Sequence, residues 1–246
     1  MIDVRNLHKR LGSQEVLCGV DLHISKGETC VILGRSGSGK TVILKHLIGL
    51  MRPTSGEITV DGENIVNLPE RKLSPIRKKV GILFQAGALF DSMSVEANIA
   101  FPLREAGIKD AKVIQERVAE ALEMVDLAGE QKKMPENLSG GMRKRVGLAR
   151  TIVSRPECIL YDEPTTGLDP IATDSINHLI RRLQKRLQVT SVVVTHDMKT
   201  AFHTANHVAF LHEGRVYFDG TVEELSASPD PILRDFIEGR SGDQSE

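Results

Sequence analysis

The sequence predicts an α/β fold built on a mostly parallel sheet. Short apolar runs that are typical of buried strands alternate with stretches of helical periodicity, as in folds with crossover connections. One apolar run, Thr29 to Leu33, leads into a glycine-rich turn and then a helical pattern, which is expected of a central strand. The 246 residues, 40% hydrophobic and 26% charged, suit one large globular domain or two subdomains.

The N-terminal third is predicted to be rich in strands. Strand-like alternation runs through residues 2 to 32, in the segments IDVRNL, VLCGVDLHI and GETCVILG. A helix then follows in TVILKHLIGL, a short strand unit in GEITVDGENI, and a buried strand in KVGILFQ at 79 to 85.

The remaining elements alternate between helices and strands. An amphipathic helix is predicted over residues 109 to 127, with apolar positions at Ile114, Val118, Ala121, Leu122 and Val125. Further segments are a helix in MRKRVGLARTIV, a strand in ECILYDEP, a helix at about 171 to 188 and a strand in TSVVVTHD. Two strands with a turn near Glu213 and Gly214 and a short helix at about 221 to 227 precede a polar tail.

Charge and cysteine usage exclude several classes of function. The net charge of −1 gives no basic excess of the kind that nucleic-acid partners require, so none is expected. The basic runs at 77 to 79 and 143 to 145 are interpreted as solvated helix faces. Cys18, Cys30 and Cys158 show no pairing or metal spacing, which indicates reduced core residues of a cytosolic protein.

Hydropathy argues against a membrane span in this sequence. No apolar stretch approaches the roughly 18 residues that a spanning helix needs, and the start MIDVRNLHKR has no signal-peptide core. If the protein works at a membrane, a partner is expected to hold it there.

The glycine-rich turn predicts a phosphate-binding loop. It matches GxxxxGK followed by Ser or Thr, directly after an apolar strand and before a helix. Glycines let the backbone amides wrap around phosphate oxygens, the lysine adds a full charge, and the final hydroxyl can ligate Mg²⁺. The predicted nucleotide-binding residues are Gly34, Arg35, Ser36, Gly37, Ser38, Gly39, Lys40 and Thr41.

Polar residues at strand ends supply the remaining chemistry of a phosphate-cleaving site. Asp162 is predicted to hold Mg²⁺ and Glu163 to activate the attacking water. Gln85 is a candidate ligand of Mg²⁺ or water, and His196 a candidate sensor of the γ-phosphate. Taken singly, the two acids could instead be strand-end carboxylates that cap the next helix, and a lone histidine is more often structural.

A second helix start, LSGGM at 138 to 142, is also typical of an anion-binding site. Ser139, Gly140 and Gly141 offer a hydroxyl and backbone amides, but neither a lysine nor a metal ligand accompanies them. This stretch is therefore interpreted as half of a site.

Together these segments resemble the nucleotide-binding subunit of an ABC transporter, in the family's order and over essentially the whole chain. GRSGSGKT is similar to its Walker A motif, Gln85 to its Q-loop, LSGGM to its signature, CILYDE to its Walker B motif, TTGLD to its D-loop, and His196 to its switch histidine. The resemblance implies ATP and Mg²⁺ as cofactors. It also implies head-to-tail pairing of two copies, so that Ser139, Gly140 and Gly141 grip the γ-phosphate bound by the other copy.

The resemblance also implies a domain organisation. A P-loop NTPase (RecA-like) core with an N-terminal antiparallel β subdomain is expected at about 1–87 and 151–220, and an inserted α-helical subdomain at about 88–150. The ATPase domain as a whole is expected at 1–240. A C-terminal extension at 221–246, with a disordered end SGDQSE, is expected to pack on the partner copy.

Two positions depart from the family pattern. Met142 stands where glutamine is common, and Leu11 stands where an aromatic residue usually stacks on adenine. Leucine offers apolar contact without a π-face, so adenine specificity is expected to be weaker than phosphate specificity.

A closer resemblance is to the Mla-type ATPases, which serve permeases paired with MCE-domain proteins and move phospholipids. It is carried by LFQAGALFDSMSVEANIAFPLRE at 83 to 105 and SPDPILRDFIEG at 228 to 239. It implies a place on the cytoplasmic face of the inner membrane, held there by an integral membrane permease. Apolar contact with that permease is expected from Ala88, Leu89, Phe90 and Met93, which could instead fill the helical subdomain's own core.

Three other functions share parts of this pattern. An importer ATPase for small polar solutes would have the same motor residues. A non-transport ABC protein acting on DNA or ribosomes would usually carry two cassettes or a long coiled coil, and neither is present. A regulatory module without turnover would not need Glu163 and His196.

Overall fold

The computed structural model describes residues 1–240, and its first layer is a four-stranded antiparallel sheet. The strand order is β2-β1-β4-β5. Alternate residues of β1, such as Ile2 and Val4, are buried, because one face of this sheet packs on the core. The strands are β1 (Ile2–Leu11), β2 (Gln14–Ile24), β4 (Ser55–Val60) and β5 (Glu63–Asn64).

The second layer is a six-stranded sheet with the order β10-β9-β3-β8-β7-β6. β3 runs parallel to β9 and β6 runs parallel to β7, whereas β10 pairs with β9 antiparallel. Every residue of β3, β7 and β8 is buried, which explains why β3 and β7 are mostly apolar and why valines fill the middle of β8. The strands are β3 (Thr29–Leu33), β6 (Val80–Leu83), β7 (Cys158–Asp162), β8 (Thr190–Thr195), β9 (His207–His212) and β10 (Arg215–Gly220).

Nine α-helices are assigned within residues 1–240. They are α1 (Lys40–Leu47), α2 (Glu70–Lys79), α3 (Val95–Glu105), α4 (Ala111–Met124), α5 (Gly140–Ile152), α6 (Pro170–Leu187), α7 (Met198–Thr204), α8 (Val222–Ala227) and α9 (Pro231–Ile237). Side-chain caps define several of their starts. Ser94, Asp110, Ser139 and Asp169 each accept a hydrogen bond from a backbone amide in the first turn of the following helix. The predicted α/β class, with a mostly parallel sheet and an antiparallel sheet, is confirmed.

The chain divides into two compact units. The first comprises Met1–Ser74 and the chain from Val192 onward, and the second is Pro75–Ser191. The antiparallel sheet, β3 and α1 belong to the first unit, and β6, β7 and α3 to α6 belong to the second. The predicted boundaries of the core and the helical subdomain stay predictions.

Several local predictions differ from the structure. KVGILFQ forms a strand only over β6, so Gln85 lies in the following turn. The helix α2 was not predicted, because ERKLSPIRKK has few apolar residues and a proline inside it. The tail after residue 227 is not merely polar, since α9 forms there with Asp230 as its side-chain cap. The predicted disordered end, SGDQSE, lies outside the described residues.

Candidate functional site

The phosphate loop, residues 34–41, joins β3 to α1 in the first unit. The Lys40 ammonium is 5% exposed and donates to the carbonyl oxygens of Gly34 and Arg35, at 2.8 and 2.9 Å. These bonds hold the lysine against the loop's own backbone. A buried cation kept by two neutral carbonyls is available to a phosphate, which would interact with it more strongly.

The geometry of the loop requires its glycines. Gly39 adopts a φ of 104°, and a side chain on Gly34 would come within 2.6 Å of the carbonyl oxygen of Leu211 and of Ser38 Oγ. Gly39 precedes α1 without a side-chain cap. Ser38 Oγ is buried with no hydrogen-bond partner among the described residues. The first turn of α1 and this hydroxyl therefore fit a phosphate anion.

Two other predicted residues of the first unit lie near strand or loop ends. His196 directly follows β8 and is exposed. Leu11 is the last residue of β1. Its apolar side chain is only partly covered by its neighbours, and 44% of its surface is exposed. Arg35 donates to the carbonyl oxygen of Arg240 at 3.3 Å, so the segment after α9 returns to the phosphate loop of the same chain.

The carboxylate pair lies at the end of β7 in the second unit. Asp162 is the last residue of the strand and is 7% exposed. Glu163 follows in the left-handed region at φ 47°, which is unusual for a residue with a side chain. Thr166 Oγ1 donates to Glu163 Oε2 at 3.0 Å. The left-handed backbone is a strained conformation of the kind that clusters at functional sites.

The second helix start has room for an incoming ligand. Ser139 caps α5 by accepting from the amide of Met142 at 3.3 Å, and it is exposed. A side chain on Gly140 would meet only Leu168, at 3.4 Å, and one on Gly141 only Ala172, at 3.8 Å. Neither glycine has a positive φ. The fold itself therefore does not require glycine at these two positions.

Lys144 is a site residue that the sequence reasoning missed. The basic run 143 to 145 was expected to be a solvated helix face, but Lys144 is only 5% exposed. It donates to the carbonyl oxygen of Gln85, and to that of Glu163 at 3.2 Å. Burial lowers the pKa of Lys144, while the carboxylates of Glu163 and Asp162 act in the opposite direction. Its signal was positional, because Lys144, Leu148 and Ile152 are spaced along one helix face.

The predicted site residues are distributed over both units. The first holds the phosphate loop and His196, and the second holds Gln85, Asp162, Glu163 and the Ser139–Gly141 helix start. Within the second unit, Lys144 brings the backbones of Gln85 and Glu163 together. The hydroxyl of Thr41 in the first unit, and the carboxylate of Asp162 and the amide of Gln85 in the second, each offer an oxygen of the kind that Mg²⁺ prefers.

Comparison with known proteins shows which family the chain is similar to. Residues 17–166 match the family model described as "ABC transporter". The chain is 43% identical over 97% of its length to the probable ribonucleotide transport ATP-binding protein mkl of Mycobacterium leprae (strain TN), covering 69% of that protein. It is 40% identical over 98% of its length to the intermembrane phospholipid transport system ATP-binding protein MlaF of Haemophilus influenzae, covering 91% of it.

Solved structures give the same result. The chain is similar to cbiO1 from Clostridium perfringens, part of the ABC transporter complex cbiONQ, with a TM-score of 0.85 at 30% identity, covering 96% of this chain and 94% of that one. It is also similar to the dimeric cassette MJ0796 bound to ADP and Pi, with a TM-score of 0.82 at 32% identity, covering 90% and 99%. The family model matches residues 17–166, and the relatives match nearly the whole chain. This chain therefore belongs to the ABC transporter ATP-binding family.

Proposed function

We propose that two copies of this chain, paired head to tail, form the ATP-hydrolysing motor of a transporter that moves phospholipid between membranes. The observation that carries the pairing is the start of α5. Gly140 and Gly141 are neither conformationally nor sterically required by the fold, yet they leave helix amides open beside Ser139. Glycines of this kind are expected where a ligand held by another molecule must approach the backbone closely.

Each predicted residue has a role in this proposal. Lys40 and the amides of the phosphate loop bind the β- and γ-phosphates, and Ser139, Gly140 and Gly141 of the second copy bind the same γ-phosphate from the opposite side. Thr41, Asp162 and Gln85 are the proposed Mg²⁺ ligands. When bound, Mg²⁺ would neutralise charge that develops on the phosphate oxygens. His196 is proposed to contact the γ-phosphate.

Glu163 is the proposed general base. Its left-handed backbone and its bond from Thr166 fix the carboxylate in one orientation. A positioned base contributes typically 10² to 10⁴ in rate. Because loss of the γ-phosphate removes the contact with the second copy, hydrolysis would open the dimer and reset the motor.

The apolar segment after Gln85 is the proposed docking surface for an integral membrane permease. Phe90 is 42% exposed and tilts against Phe101 with ring centroids 4.9 Å apart. Ala88 is exposed, whereas Leu89 and Met93 are half-buried. Part of the segment therefore packs inside the second unit and part remains free for a partner. Within residues 1–240 no helix has the length and apolarity to cross a bilayer.

The phospholipid cargo is inferred from relatives. MlaF of Haemophilus influenzae is named for intermembrane phospholipid transport, and this chain matches it over 98% of its own length and 91% of the relative's. By the same inference, this chain would lie at the cytoplasmic face of the inner membrane, and an MCE-domain protein would be a further partner of the transporter. A second candidate cargo is a ribonucleotide, favoured by the name of the mkl relative at 43% identity. That cargo would make the chain an ATPase for a small solute.

The hydrolytic part of the proposal is tested with Glu163→Gln. This change keeps the size of the side chain but removes the base, so Mg²⁺ and ATP should trap a dimer, measured as a doubled mass by light scattering. Glu116→Gln, which changes an exposed carboxylate on α4, is the matched control and should behave as the wild type does. A Glu163→Gln chain that stays monomeric and hydrolyses ATP at the wild-type rate would place the base elsewhere.

The cargo is tested separately by purifying the chain from membranes. Recovery of a permease together with an MCE-domain protein, and ATPase activity stimulated by phospholipid, is the expected result. Recovery of a permease with a soluble solute-binding protein, or stimulation by ribonucleotides alone, would favour the small-solute transporter.

A further inference from the structure

One face of α5 binds the backbone of the segment 82–88, which comprises the end of β6 and the turn after it. Lys144 donates to the carbonyl oxygen of Gln85, Arg150 donates to those of Gly87 and Ala88 at 3.0 and 2.8 Å, and Thr151 donates to that of Ile82 at 3.1 Å. These donors attach to main-chain oxygens rather than to side chains. The segment 82–88 is therefore fixed to α5 whatever its side chains contact.

Close packing strengthens this attachment. A side chain on Gly147 would come within 2.9 Å of Leu83 and 3.0 Å of the Gly87 carbonyl oxygen. The backbone of α5 thus lies directly against the segment, midway between Lys144 and Arg150. Interfaces this tight move as a unit, because close-packed groups cannot slide past one another without cost.

Lys144 also contacts the backbone of Glu163, directly after β7. It donates to the carbonyl oxygen of Glu163 at 3.2 Å, and that oxygen accepts a second bond from the amide of Thr166 at 3.3 Å. Glu163 has the left-handed φ of 47°. Such a conformation is strained and persists only where the surroundings hold it. Lys144 is one of the groups that hold it.

The choice of a lysine here has an electrostatic basis. A buried ammonium is costly unless it is hydrogen-bonded and paired. Lys144 donates to two carbonyls and lies in the field of Asp162 and Glu163, which act to keep it charged. A neutral side chain of equal length could fill the same space but could not bind both oxygens.

We propose that Lys144 is a positioning residue that ties the Gln85 turn to Glu163, so that a displacement of the segment 85–88 by a partner moves the general base. This inference rests on the proposed function, because it takes Glu163 as the base. Lys144 would transmit a displacement of the proposed docking surface to the carboxylate of Glu163. Lys144 acts through two backbones, by its bonds to the carbonyl oxygens of Gln85 and Glu163.

The test compares Lys144→Met with Lys144→Arg. Methionine keeps the volume but loses the charge and both donors, so the kcat for ATP should fall by about 10- to 100-fold, as expected for a catalytic group displaced by an ångström. The Kd for ATP should stay unchanged, because the phosphate loop is intact. Arginine restores the cation and the donors and should recover most of the activity. Lys112→Met, an exposed lysine on α4, is the control.

A double-mutant cycle with Glu163→Gln separates positioning from simple stability. If Lys144 acts through Glu163, Lys144→Met should lower kcat in the wild type but cause little further loss in Glu163→Gln. Equal losses in both backgrounds, or a Lys144→Met chain with wild-type kcat, would overturn the inference. If Lys144→Met does not fold, Lys144→Gln, which keeps one neutral donor, is judged by the same criteria.

The cycle also distinguishes the two levels of the proposal. Hydrolysis at the wild-type rate in Glu163→Gln refutes the base assignment and the inference with it. Activity that is lost in Glu163→Gln but retained in Lys144→Met refutes the inference alone.

Discussion

At the scale of single residues, two equally buried lysines differ in what they bind. Lys40 and Lys144 are each 5% exposed, and each donates to two backbone carbonyls. The carbonyls that Lys40 meets belong to its own loop, close in sequence, so this ammonium can exchange them for phosphate oxygens. Those that Lys144 meets are 59 and 19 residues away along the chain. Lys144 therefore fixes tertiary structure.

Removal of Lys40 should abolish nucleotide binding. Lys40→Ala deletes the buried positive charge of the phosphate loop, and charge-assisted bonds to phosphate are roughly twice as strong as neutral ones. Calorimetric titration with Mg²⁺ and ATP should show no saturable binding. Lys45→Ala, on the same helix, should bind as the wild type does. Unchanged affinity in Lys40→Ala would reject the assigned loop.

The sequence could predict the phosphate loop residue by residue but not Lys144. The loop depends on local order alone: an apolar strand, glycines, a lysine and a helix follow one another directly. The role of Lys144 depends on Gln85 and Glu163, which only the fold brings to it. Three consecutive basic residues are expected to be exposed to solvent on composition alone. Which one is buried depends on which face of the helix packs against the rest of the protein.

At the scale of elements, a buried amide organises the proposed docking surface. Asn98 on α3 is fully buried and accepts from the amide of Phe90 at 2.8 Å. Its own amide donates to the carbonyl oxygens of Phe90, Met93 and Ser94 at 3.0 to 3.1 Å. The loop 90–93 thus satisfies its backbone through one side chain, which replaces the ladder of a regular element.

Loss of Asn98 should destabilise the second unit and loosen this loop. Asn98→Ala removes the side-chain partner of the Phe90 amide and of the Met93 carbonyl oxygen, and a backbone group left unsatisfied costs about 1 to 3 kcal/mol. We expect a fall of at least about 2 kcal/mol in the free energy of unfolding, measured by urea titration, with faster amide exchange at residues 90–93. Asn137→Ala, at an exposed position, serves as the control. Unaltered exchange at these residues would show that Asn98 does not hold the loop.

The start of α5 should tolerate a change that abolishes dimerisation. Gly140→Asp has space, since Leu168 lies 3.4 Å from the added carbon. A carboxylate in the first turn also favours the helix by about 0.3 to 1 kcal/mol. The same charge would repel a γ-phosphate. We expect an unaltered or raised Tm together with loss of the ATP-dependent dimer, and a lowered Tm would contradict this reasoning.

Elements with strong periodicity were predictable, and weakly apolar ones were not. The helix predicted over 109 to 127 is α4, because its buried residues recur every three or four positions. α2 has little apolar signal and contains Pro75, and it forms nonetheless with Leu73 and Ile76 buried. α9 also has a weak apolar signal. Its two packing residues, Leu233 and Phe236, are separated by charged residues. Tertiary packing decides such short helices.

At the scale of the whole molecule, the proposed motor depends on a nucleotide shared by two copies. Each copy carries one phosphate loop and one Ser139–Gly141 helix start. In a head-to-tail pair, a given ATP touches the loop of one copy and the helix start of the other. The dimeric cassette MJ0796 bound to ADP and Pi is similar to this chain, with a TM-score of 0.82, which supports such a pair.

Complementation between two defective chains tests this arrangement most directly. In chains that carry Glu163→Gln and different fluorescent labels, Lys40→Ala destroys one half of the site and Gly140→Asp destroys the other. Neither variant alone should associate in ATP and Mg²⁺. When they are mixed, one complete site forms from the intact loop of one chain and the intact helix start of the other, so energy transfer between the labels should return.

The control mixes a chain carrying both Lys40→Ala and Gly140→Asp with a chain that carries neither, since no mixed pair then has a complete site. Energy transfer in the first mixture and none between the labels of the second is the expected result. No transfer in the first mixture, or equal transfer in both, would show that ATP does not join two copies of this chain in the proposed way.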